Sequence, residues 1–149
     1  MTVVEDRIYS AFASIASSLG YSDIHGRIIS ALLVADKPLC LQDLSKKTKY
    51  SDSAISLSLD LLELIGIIKK RKNMGDRKLY ITLEGDLIEG LRRALTLKIQ
   101  KEIITTLAEF EKYKYNKKNE HIISVFEKEI KRLQEYVDRL ASVEIPKKE

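Results

Sequence analysis

The sequence predicts a mainly α-helical protein with a small β-wing: a winged helix-turn-helix flanked by N- and C-terminal dimerisation helices. Three observations predict it. Between Pro38 and Gly85 a short helical segment, a tight turn and a capped second helix lead into two strand-like runs joined by a glycine turn. From Ile67 to Tyr80 there are six basic residues, Lys69, Lys70, Arg71, Lys72, Arg77 and Lys78, against one acid, Asp76. On both sides of this stretch, apolar residues recur every three or four positions, the spacing of amphipathic helices.

Taken in order, Val4, Ile8, Phe12, Ile15 and Leu19 mark a first helix that ends at Gly20. Ser22 or Asp23 caps the next, Ile24 to Ala35, apolar through Ile28, Ile29, Leu32 and Leu33, and Asp36-Lys37-Pro38 stops it. Leu41 to Thr48 is a short helix and Lys49-Tyr50 a turn. Ser51 caps a helix running to about Ile65, which Gly66 ends. Ile67 to Lys72 is a strand, Asn73 to Asp76 a turn, and Arg77 to Thr82 the returning strand. Leu87, Leu91, Leu95, Ile99, Ile103, Leu107 and Phe110 mark one long helix reaching Tyr113, and Tyr115 to Asn119 breaks it. A last helix carries Phe126, Ile130, Leu133, Val137 and Leu140 as a heptad-like seam. The expected organisation is a dimerisation helix over 1–20, a DNA-binding winged helix-turn-helix over 21–85, and a helical dimerisation region over 86–145. Ile8, Phe12 and Ile15 in the first helix, with the five seam residues in the last, are the expected homodimer interface, because mutual packing across a twofold axis covers stripes that a small winged domain leaves bare.

Composition narrows the function. The chain has 149 residues, and its 44% hydrophobic and 32% charged content is that of a globular domain with helical extensions. No apolar run approaches the roughly 20 residues of a membrane span, and the start lacks a signal-peptide pattern, so no membrane partner and a cytoplasmic location are expected. Cys40 is the only cysteine, which excludes an internal disulfide. His25 and His121 stand far apart without metal-ligand spacing, and no phosphate loop or nucleophile–histidine arrangement occurs, so neither an enzyme nor a cofactor or metal site is expected. The net charge of +4 permits nucleic-acid binding, and double-stranded DNA is the expected partner because the positive charge is concentrated in the hairpin.

The second motif helix can be read by residue. With Ile55 inward and 100° per residue, Leu59 and Leu62 join it as core, while Ser53, Leu57, Asp60, Leu61 and Leu64 face outward with Ser56 at the edge. Ser51, Ser53, Ser56 and Leu57 are the expected DNA contacts of this helix: serine donates or accepts at base edges, and leucine suits a thymine methyl. Asp52 is expected to cap the helix rather than to touch DNA. Leu61 and Leu64, nearer the C-terminal end, are expected to pack beneath the wing or a flanking helix. The competing reading of three outward leucines is a protein-interaction or assembly module without specific DNA binding.

These residues resemble the MarR superfamily of winged-helix regulators, particularly its GbsR-like branch, which includes archaeal members. Pro38-Leu39-Cys40-Leu41-Gln42-Asp43-Leu44 is similar to the family's "PLSLDEL" opening. Ser51-Asp52-Ser53-Ala54-Ile55-Ser56 is similar to "SKGSVS", Glu63-Leu64-Ile65-Gly66-Ile67-Ile68 to "EEWGLV", and Gly75-Asp76-Arg77-Lys78 to "GDRK" at the wing tip. The resemblance implies a homodimeric transcriptional regulator, usually a repressor, that dimerises through terminal helices. It also implies that Arg77 lines the minor groove and that Asp76 holds the wing tip. Three positions depart from the family pattern. Cys40 replaces the serine that caps the first motif helix and should weaken that cap. Asp52 and Asp60 replace lysine and arginine and remove phosphate contacts. Some relatives in this branch respond to choline-like compounds, so a small-molecule effector is a further expectation; Tyr9, Phe12, Phe110 and Tyr113 are the aromatic residues for a cage, although helix aromatics at such spacings more often pack in cores.

Overall fold

Local sequence signals start and stop each helix. In the computed structural model, which describes residues 2–149, α1 spans Val3–Ser18. Thr2 caps it reciprocally with Glu5: the Glu5 N–H donates to Thr2 Oγ1 (3.1 Å) and the Thr2 N–H to Glu5 Oε2 (2.9 Å). The side of α1 that packs is not the large apolar stripe. Tyr9, Ala13 and Ala16 are buried, while Val4, Ile8, Ile15 and Leu19 stay exposed. The small residues explain the choice. Gly26 of α2 (Asp23–Ala35) lies so close to α1 that an added Cβ would stand 2.7 Å from Ala13 Cα and 3.1 Å from Ala16 Cβ.

After α2, β1 (Leu39–Cys40) forms the edge of a three-stranded antiparallel sheet ordered β1-β3-β2. The sequence showed no strand there, because two residues carry no periodicity; Leu39 and Cys40 become a strand by pairing with Ile81 and Tyr80. α3 (Leu41–Thr48) and α4 (Asp52–Leu64) form the helix-turn-helix. Gly66, at φ 81°, closes α4, with the Ile67 N–H donating to the Leu62 carbonyl (2.9 Å). The wing is β2 (Ile68–Lys72) and β3 (Leu79–Leu83), paired from Ile68↔Leu83 to Lys72↔Leu79. Ile28, Ile29, Leu32, Leu39, Leu44, Ile55, Leu59, Leu62, Ile67 and Ile81 are the buried core.

The helix-turn-helix turn places Lys49 at φ 65°, a left-handed conformation that costs a side-chain-bearing residue about 1 kcal/mol or more. Lys49→Gly is therefore expected to raise unfolding stability by about 0.5–1 kcal/mol, the strain relief outweighing glycine's entropy. Urea unfolding checks this.

The chain divides into two compact units, Met1–Gly90 and Leu91–Glu149. In the second, the body of α5 (Leu87–Glu111) and α6 (Lys117–Leu140) form an antiparallel hairpin. α5 stops at Glu111, two residues before the expected Tyr113, and Asn116 caps α6, its Oδ1 accepting from the Lys118 N–H (3.0 Å), so the interhelical break lies over 112–116 rather than 115–119. Phe110 meets Phe126 with ring centroids 4.8 Å apart, the Gln100 amide donates to Asp138 (3.1 Å), and Lys114 bridges Glu111 (2.9 Å) and Glu127 (3.1 Å). No helix of the described residues is long and apolar enough to cross a membrane.

Candidate nucleic-acid interface

Helix α4, the second helix of the helix-turn-helix, presents serines and leucines outward over a core of Ile55, Leu59 and Leu62. Its cap is Ser51, whose Oγ accepts from the Ala54 N–H (3.3 Å) and lies 3.3 Å from Ser53 Oγ. The cap bond thus comes from Ser51, not from Asp52, which sits in the first turn where its charge favours the helix dipole. Ser53, Ser56 and Leu57 are exposed along the same helix. Leu61 and Leu64 do not pack beneath the wing: they are 44% and 82% exposed. The reason lies in the exit from α4. The chain turns at Gly66 and enters the sheet by burying Ile67 and Ile68, so what returns over α4 is the side chain of Lys70, and it goes to acids rather than to leucines.

The Lys70 ammonium pairs with Asp60 and lies 3.9 Å from Glu63, whose Oε2 also accepts from the Lys70 N–H (3.3 Å). One of the six wing cations is therefore committed within the chain. In exchange, the two carboxylates flanking the outward face of α4 are partly neutralised, so the negative charge that Asp60 adds to this face is smaller than its sequence position suggests. Lys69, Arg71, Lys72, Arg77 and Lys78 are exposed.

Arg77 and Lys78 belong to the wing tip, not to the returning strand, because Lys72 pairs with Leu79 and leaves residues 73–78 as the connection. Asp76 shapes that connection. Its Oδ1 accepts from the Lys78 N–H (2.9 Å) and its Oδ2 from the Tyr80 hydroxyl (3.0 Å), while its own N–H donates to the Asn73 carbonyl (3.1 Å). The bonds to its carboxylate, from the Lys78 N–H first and then the Tyr80 hydroxyl, hold the Asp76 carboxyl below its ordinary range. Gly75 supplies the left-handed residue at φ 81°. The guanidinium of Arg77 thus projects from a tip fixed on both sides.

Further features of this surface were not in the sequence reading. Lys46 and Lys49 are exposed at the end of α3 and in the turn, and Lys46 joins Gln42, Asp43, Ser45 and Asp52 around an open hollow of about 350 Å³. The run Lys46-Lys47-Thr48-Lys49 was visible, but cations at a helix C-terminus have an ordinary dipole explanation. Cys40 keeps part of a cap after all. Asp43 Oδ2 accepts from both the Cys40 thiol (3.1 Å) and its N–H (3.2 Å), and the thiol bond, then the N–H, holds the carboxyl below its usual value.

The turn is tied to α2 by Tyr50, whose hydroxyl donates to Asp23 Oδ2 (2.7 Å); Arg27 Nε donates to the same oxygen (2.8 Å). The Tyr50 bond, and then Arg27, holds the Asp23 carboxyl low. A lowered carboxyl stabilises the fold at neutral pH, and that contribution is lost as pH falls from about 4 through the folded-state pKa. Asp23→Asn is expected to cost at most about 1 kcal/mol at pH 7, since the group is half exposed and screened, and progressively less as pH falls through the folded-state pKa. Urea unfolding across pH measures the difference.

The expected interface residues divide. In the first unit Ile8 and Ile15 are exposed and Phe12 is half-buried. In the second, Leu133 and Leu140 are exposed at 43% and 38%, and Phe126 and Ile130 are half-buried. Val137, only 2% exposed, belongs to the hairpin's own core, because the seam meets α5 before it can meet anything else. Of the aromatic residues considered for a cage, Tyr9 is fully buried, and Phe110 packs on Phe126 and on Tyr113 (5.9 Å).

A solved structure described as a transcriptional regulator is similar over 91% of this chain and 95% of its own, with a TM-score of 0.63 at 18% identity. This chain has the winged-helix fold. A mutant of S. aureus MepR bound to an oligodeoxyribonucleotide matches over 88% of the chain and 93% of its own length, with 19% identity and a TM-score of 0.47. In sequence, 62 residues are 39% identical to a Halobacterium salinarum protein described as an arsenical resistance operon repressor, ArsR. That match takes in 42% of this chain and 48% of the relative, so the chain matches about half of that protein's length. No family model matches the chain.

Proposed function

We propose that this chain is a cytoplasmic, homodimeric, sequence-specific DNA-binding regulator of transcription, a repressor of the GbsR-like branch of the MarR superfamily. The observation that carries the reading is the arrangement of the reading head. A capped helix presents Ser53, Ser56 and Leu57 outward, its Asp60 is paired by Lys70, and beside it stands a wing with five exposed cations and a tip fixed by Asp76. Such a wing supplies sequence-independent attraction to phosphates while the helix addresses base edges. The motif resemblances from Pro38 to Lys78 support the branch.

The dimer rests on the exposed stripe of Val4, Ile8, Ile15 and Leu19, which a second copy would cover. Two reading helices would then enter successive major grooves, with half-sites about one helical turn (roughly 10 bp) apart. A gel shift against genomic fragments with excess competitor DNA, with sedimentation of the free protein, tests both parts. Retention of particular fragments by a dimer supports the reading; failure to retain any fragment, or a monomer at micromolar concentration, rejects it.

A further inference from the structure

Of the apolar ridge Leu57, Leu61 and Leu64 on α4, the reading above uses Leu57 alone. These residues follow at steps of four and three along α4, on the same face as Ser53, and are 74%, 44% and 82% exposed. Single exposed leucines are ordinary, whereas three in register on one outward face form an apolar strip. Within Asp52–Leu64 there is no lysine or arginine, and the acids beside the strip, Asp60 and Glu63, are engaged by Lys70. The face is therefore apolar and hydroxylated rather than cationic.

A helix of this kind cannot read guanine by the bidentate arginine or lysine contact that is the commonest specific one. The apolar group that a base-pair edge offers in the major groove is the thymine 5-methyl. From this complementarity we infer that α4 selects thymine methyls. The preferred duplex is A·T-rich, with thymines beneath Leu57 and Leu61 and the serine hydroxyls of Ser53 and Ser56 on neighbouring base edges. The wing tip agrees, since Arg77 projects from a fixed turn and A·T tracts have the narrow, strongly negative minor groove that attracts an arginine. This inference rests on the DNA-binding reading above and names the class of sequence it selects.

The experiment begins with selection of tight binders by the full chain from a randomised duplex pool. The selected duplexes are then remade with deoxyuridine in place of thymidine, which removes the methyl and preserves pairing. Wild-type affinity is expected to fall roughly fourfold for each contacted methyl lost, the worth of one buried methylene. Leu57→Ala is expected to bind the thymidine duplex more weakly and to discriminate less between the two duplexes. Circular dichroism confirms that the variant is folded, which the exposed position favours. Equal wild-type affinity for both duplexes, or selected sites rich in G·C, overturns the methyl reading while DNA binding stands. A wild-type chain that selects no duplex overturns the DNA reading itself and assigns the ridge to a protein partner.

Discussion

Replacing Arg77 and Lys72 together by alanine is expected to weaken duplex binding by about 10- to 100-fold, two solvent-exposed ion pairs with phosphate being worth roughly 1 kcal/mol each. Both side chains are exposed at the end of the wing, Lys72 where it pairs with Leu79 and Arg77 in the connection held by Asp76. The loss should shrink as salt rises, because each phosphate neutralised contributes about one unit to the slope of log affinity against log salt. Titrations by fluorescence anisotropy between about 50 and 200 mM salt separate this from misfolding, which would abolish binding at every concentration. Unchanged affinity and slope would remove the wing from the interface. Lys70→Ala makes a useful control. Its cation is already committed to Asp60 and Glu63, so its removal should act by releasing two carboxylates beside the reading helix rather than by deleting a phosphate contact.

The largest effect on stability is expected at Gly26. An alanine there would gain up to about 1 kcal/mol in helix propensity over glycine. Its Cβ would, however, stand 2.7 Å from the Cα of Ala13, a backbone atom that cannot rotate away. Separating α1 from α2 would loosen the packing of Tyr9, Ala13 and Ala16, so a net loss of about 2–3 kcal/mol is expected for Gly26→Ala and more for Gly26→Leu. Thermal unfolding measures it. A Gly26→Ala protein more stable than wild type would show that the contact between the two helices gives way easily. Gly75→Ala provides the contrast: no atom lies within 4 Å of the added carbon, so its cost is the backbone strain at φ 81° alone.

Much of the helix-turn-helix and wing is legible in the sequence. Ser51 ahead of an apolar period, Gly66 after it, and the two basic runs joined by the Gly75 turn are short-range signals, and α4, β2 and the Gly66 turn follow them within a residue or two. Elements that depend on a distant partner were not legible. Leu39 and Cys40 are a strand because Ile81 and Tyr80 pair with them. Arg77 and Lys78 moved from strand to loop because the Asp76 carboxylate binds the Lys78 N–H and the Tyr80 hydroxyl. Periodicity showed that Leu61 and Leu64 oppose Ile55, but not what, if anything, covers them; the Gly66 turn directs β2 inward and leaves them exposed.

The same division separates what the order of residues determined alone from what the packed molecule decided. Caps, breakers and apolar spacing act over a few residues, so helix limits, the wing and its cationic character follow from the sequence directly. Which side of a helix is covered is decided by surfaces brought together from far along the chain. Tyr9, Ala13 and Ala16 pack in place of the larger stripe of α1 because Gly26 admits a close approach. Lys70 turns to Asp60 ten residues away, and Val137 is drawn into its own hairpin. Burial and charge pairing are properties of neighbours in space, and tertiary packing alone assigns those neighbours.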